Sequence, residues 1–110
     1  RIRKIDLQVH LKKNLHYKTG LYGMMDMQDD RTFRLDVDYS DMNEMEHTIM
    51  HEMVHVKQYV TKELVQLRDV YVWKNVAFGK YHTDYRHRPW EIEAYNKEEQ
   101  LVKSFKEEYI

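Results

Sequence analysis

Two histidines four residues apart, with a glutamate directly after the first, occur in the stretch "TIMHEMVHVKQYV": His51, Glu52 and His55. On a helix, residues at this spacing stack one above the other with Cβ atoms about 5–6 Å apart, so both imidazoles turn toward one point. A single zinc ion bridges such a pair at Zn–N distances of about 2.0–2.1 Å. Glu52, one step around, is placed to take a proton from a water at that ion, which is general-base chemistry. His47 extends the stripe one turn earlier but is followed by Thr48, so a His47–His51 pair lacks its base and His47 is read as a neighbour.

A catalytic zinc takes three protein ligands and leaves a fourth position for water. The chain has no cysteine, so the third ligand is a histidine or a carboxylate from another element. The candidates are the carboxylates of "RPWEIEAY" and the histidines of "YHTDYRHRP", His82 and His87. Glu91 and Glu93 sit about 200° apart on a helix, so one of them at most faces the metal. Donors for a developing oxyanion are available in Tyr81, Tyr85, His87 and Tyr95.

The pairing of HExxH with a later glutamate and its E-x-x-A setting resembles the gluzincin type of zincin metallopeptidases. In such proteins a helix a few dozen residues on carries the ligand glutamate. The likeness runs from Leu35 to Lys97 and includes the Trp73-Lys74 pair and "PWEIEAY". It is similar to minimal gluzincins and phage-type metallopeptidases, and more distantly to SprT-like proteases. The resemblance implies Glu91 as third ligand with Ala94 beside it, Zn2+ as cofactor, and a peptide or protein as substrate. Tyr95 stands where many gluzincins carry a ligand-orienting aspartate, so a carboxylate for that purpose must come from elsewhere. The motifs are specific for zinc and say little about substrate. The alternative is a non-catalytic zinc-binding or protein-interaction module of phage or prophage type.

The surrounding elements must hold these residues in place. "KIDLQVHLKK" alternates apolar Ile5, Leu7, Val9 and Leu11 with polar residues, as a half-buried strand does. "TFRLDVDY" repeats the pattern, and "GLYGMMDMQDDR" before it predicts a hairpin turning at Gln28-Asp29-Asp30. An exposed sheet edge at Thr32 to Tyr39 is the expected site for extended substrate. From Met42 to about Leu67 apolar residues recur at three and four, predicting one amphipathic helix with Asn43 and Glu46 as a capping box. The methionines of this region read as flexible core filling. "DVYVWKNVAF" predicts a short strand or hairpin. Pro89 opens a C-terminal helix burying Trp90, Ala94, Leu101, Phe105 and Tyr109.

The expected architecture is therefore α+β: a small, mostly antiparallel or mixed sheet packed on the HExxH helix, within a single domain. The chain has 110 residues, with 18 basic and 19 acidic side chains mixed along it. A net charge of −1 argues against a nucleic-acid partner. The polar "RIRKIDLQVH" and the short apolar runs point away from a signal peptide or a membrane span, and so toward the cytoplasm. The oligomeric state is left open.

Overall fold

A computed structural model describes residues 4–79 and 84–109. The fold is α+β, with two three-stranded sheets and two long antiparallel helices. The first sheet contains β1 (Asp6–Lys12), β2 (Gly23–Asp29) and β3 (Thr32–Asp38) in the order β1-β3-β2. β1 runs parallel to β3 and β2 antiparallel to it. The sheet is therefore mixed, and β3 is its centre. This corrects the expectation that Thr32 to Tyr39 offers a free edge, since both sides of β3 are already hydrogen-bonded. The cleft-side edge is β2.

Period-2 alternation drives this layer. Phe33, Leu35 and Val37 point to one face and are essentially inaccessible to solvent, while Arg34 and Asp36 point to the other. The β2–β3 hairpin forms as expected, but its turn lies at Asp30-Arg31 and Gln28 is taken up by an irregularity in the ladder. Between β1 and β2 lies the short helix α1 (Leu15–Thr19). Its His16 N–H donates to the buried Asp38 carboxylate at 2.7 Å, and Ser40 donates to the same group through both N–H and hydroxyl. These bonds tie α1 to the end of β3.

The helix bearing His51 and His55, α2, spans Met42–Val60, shorter than the apolar spacing predicts. Lys62 turns the chain with φ of 64°, so Leu64 and Leu67 leave the helix and Leu64–Gln66 becomes β4. The cap also differs from expectation: Asp41, not the Asn43/Glu46 box, accepts from the N–H groups of Asn43 and Glu44 at 3.0 and 3.2 Å. At Gly23, a Cβ would stand 2.3 Å from Thr48 Cγ2. The missing side chain is what lets β2 lie directly against α2, one turn before His51.

β4, β5 (Val70–Trp73) and β6 (Val76–Gly79) form the second, antiparallel sheet. The β5–β6 hairpin turns on Lys74 and Asn75, both at positive φ, as two-residue hairpins of this hand require. Helix α3 (Pro89–Tyr109) closes the fold. Of its expected stripe, Trp90 and Ala94 are buried, while Leu101 and Phe105 are about 40% exposed and Val102 is buried instead. The Tyr109 side chain is outside the described residues. Met24, Met42 and Met53 are also exposed, so core filling accounts for only part of the methionine set.

Candidate metal centre

Helix α3 runs antiparallel to α2, with contacts from Glu46–Lys106 at one end to Gln58–Trp90 at the other. Trp90 anchors this arrangement. Its ring packs against Tyr71, Trp73 and Phe78 of the second sheet at centroid distances of 5.0, 6.3 and 5.5 Å, beside Leu64. Burying so large a side chain fixes the first turn of α3, and the next residue is Glu91. From α2, the fully buried Gln58 amide donates to the Trp90 carbonyl and to Glu93 at 3.1 and 3.0 Å, locking the two helices in register.

His51, His55 and Glu91 are all buried. Glu91 Oε1 lies 3.0 Å from His51 Nε2 and 3.1 Å from His55 Nε2, and the two nitrogens are 3.2 Å apart. The other ring nitrogens decide what this triangle is. His51 Nδ1 faces the Glu98 carboxylate at 3.2 Å, and His55 Nδ1 faces Gln58 Oε1 at 2.8 Å. The Gln58 NH₂ is committed to two acceptors, so its oxygen is what meets His55. Both Nδ1 atoms therefore carry the proton, and both Nε2 atoms present lone pairs.

Two lone pairs and a carboxylate oxygen converging in a buried space need a metal ion or a proton between them. This group could hold a metal ion. The donor set of two imidazoles and one carboxylate fits zinc, and a tetrahedral zinc sets its ligand atoms about 3.3 Å apart, within a few tenths of this triangle. A proton is the competing occupant. Burial opposes charge on His55, yet the Glu91 hydrogen bond together with the Glu91 and Glu52 charges outweighs it and raises the His55 pKa. Burial likewise opposes ionisation of Glu91, but the bonds from His51 and His55 hold it at about 2.

Glu52 lines the same cleft and has no hydrogen-bond partner among the described residues. Burial raises its pKa above the ordinary 4.5, against the pull of His55 and His51. The cleft has a volume of about 910 Å³, and its walls include Gly23, Met24 and Met25 of β2, the stacked pair His16 and Tyr22, and Tyr85, Arg88 and Tyr95. Burial, then the charges of Glu91 and Glu52, keeps the Tyr85 phenol protonated far above neutral pH. Tyr95 packs on the His51 ring at a centroid distance of 4.5 Å, and the Arg86 guanidinium lies over the Tyr95 ring, 5.5 Å from its centroid.

Of the other sequence candidates, Glu93 is turned to Gln58 rather than to the His51–His55–Glu91 cluster. His87 is exposed and lies 3.8 Å from Asp84. His47 bonds the Asn43 carbonyl. Tyr81 and His82 lie outside the described residues. Sequence reasoning missed Glu98 and Gln58, which orient the two imidazoles. Glu98 had a signal: it lies two helical turns after Glu91, on the same face. No known family model, curated protein or solved structure matches this chain. No helix of the described residues is long and apolar enough to cross a membrane.

Proposed function

We propose that this protein is a zinc-dependent peptidase of zincin type, with His51, His55 and Glu91 as ligands and Glu52 as general base. The observation that carries the reading is the lone-pair triangle beside a half-buried carboxylate, Glu52, without a hydrogen-bond partner among the described residues, in one open cleft. Zinc bound there supplies Lewis acidity, polarising a substrate carbonyl and acidifying water. Glu52 takes a proton from the attacking water and hands it to the leaving amine. Its raised pKa brings it closer to neutrality, where both transfers are efficient. The phenols of Tyr85 and Tyr95 stay protonated and are the available donors to a developing oxyanion. An extended peptide pairs with the edge of β2 that is unpaired among the described residues and borders the cleft at Gly23 to Met25.

The test is metal content by elemental analysis and cleavage of unstructured peptides read by mass spectrometry. Wild type, Glu52→Gln and the His51→Ala/His55→Ala double variant are compared. Wild type and Glu52→Gln should each hold about one zinc, and the double variant none. Cleavage should fall by about 10²–10⁴ in Glu52→Gln. Zinc without cleavage in any form would leave a zinc-binding module. No zinc after back-titration would remove the reading altogether.

A further inference from the structure

β1 carries two features that nothing among the described residues uses. Its outer edge is hydrogen-bonded to nothing among the described residues, because β1 lies at the end of the order β1-β3-β2. Its apolar face is also uncovered. Leu7, Val9 and Leu11 share a face with Phe33, Leu35 and Val37 through the parallel register, and Ile5 precedes them at the same alternation. α2 packs over β3 and β2, so the β3 residues are buried while Ile5, Val9 and Leu11 remain 43%, 46% and 59% exposed. An open edge bearing apolar side chains is a template for another strand.

We propose that the occupant is β1 of a second copy of this chain, paired antiparallel about a two-fold axis at Val9. Leu7 then stands opposite the partner's Leu11, and Val9 opposite its counterpart. On the polar face, Gln8 meets the partner's His10 and Asp6 meets the partner's Lys12, twice in the dimer. Neither Asp6 nor Lys12 has an ion pair within the chain among the described residues.

The alternatives fare worse. A shift by one residue sets the apolar face against the polar one. A shift by two in one direction brings Lys4 against Lys12, and in the other removes Asp6 from any lysine. Charge and apolar pattern therefore select one register. The product is a continuous six-stranded sheet in which both β2 edges, and so both clefts, lie at the outer ends. Such closed two-fold pairing is the commonest form of self-association.

The contact is at the small end of specific interfaces, so the expected Kd is on the order of 10–100 µM. Sedimentation equilibrium from roughly 5 to 500 µM brackets that range. The wild-type mass should climb from 13.7 kDa toward twice that value. Asp6→Lys and Lys12→Asp each place like charges opposite one another at both junctions, and each should weaken association about tenfold or more. Both substitutions lie on the polar face, and unchanged circular dichroism would verify the fold. Mixed in equal amounts, the two variants regain opposite charges at both junctions and should associate as tightly as wild type. A monomer at the highest concentration, a dimer indifferent to either swap, or a mixture that stays monomeric would each overturn the proposal.

Discussion

Removing the Glu98 carboxylate should weaken metal binding although Glu98 touches no metal. In the Glu98→Ala variant His51 Nδ1–H loses its acceptor in a space where both side chains are nearly closed to solvent, 9% and 14% exposed. A hydrogen bond to a charged group contributes roughly 1.5–3 kcal/mol. At 3.2 Å this one is at the long end of the range, so the lower half, about 1.5–2 kcal/mol, applies. That converts to a zinc Kd roughly 10–30-fold weaker, within the 10–100-fold usual for groups that orient a ligand histidine. Glu98→Gln retains an acceptor without the charge and should lose only about fivefold. Tyr95→Phe keeps the ring against His51 and should change nothing. Competition against a chromophoric chelator near neutral pH reads all three. A Glu98→Ala affinity within about twofold of wild type, or a Glu98→Gln loss as large as that of alanine, would refute the view that this carboxylate sets the His51 tautomer.

The cluster's competition between proton and metal predicts opposite pH responses. The raised His55 pKa stabilises the metal-free protein fully below the ordinary imidazole value of 6.5, and that contribution is lost as pH rises through the raised value. Zinc must displace the same proton, so the zinc-induced rise in Tm should grow over the interval in which the metal-free Tm falls; parallel changes in thermal melts would sink this. Glu91, held at about 2, has the reverse sign: its contribution persists above the ordinary 4.5 and is lost as pH falls toward 2. Gly23→Ala should cost about 1–3 kcal/mol by driving Cβ into Thr48. Adding Thr48→Ser, which removes the Cγ2 it meets, should restore most of this in denaturant titrations; no recovery would place the strain elsewhere. Asp41→Ala should cost about 0.5–2 kcal/mol as the loss of a helix cap. Asn43→Ala should be nearly neutral, and the opposite ranking would reinstate the capping box.

The sequence by itself determined what depends on neighbours a few residues away. His51 and His55 face one point because four residues make about one helical turn, β1 and β3 declare themselves by alternation, and β2 by the turn that joins it to β3. Pro89 marks the start of α3 through its own backbone geometry. Local chemistry also carried two signals that periodicity hid: Asp41 was a better cap than Asn43, and Leu64 continued the apolar spacing past a helix that had already ended. Only the tertiary structure decided which strand is central, because alternation describes the faces of a strand and is silent about its edges. The parallel pairing of β1 with β3 is what closes the edge at Thr32 to Tyr39 and leaves β2 on the cleft. The same holds for Leu101 and Phe105, which continue the apolar spacing of α3 yet stay about 40% exposed while Val102 is buried. Glu98 and Gln58 became visible as orienting groups when α3 was laid against α2, bringing Glu98 to a histidine 47 residues away. Spacing along one element specifies which side chains share a face; which partner that face meets is set by packing between elements.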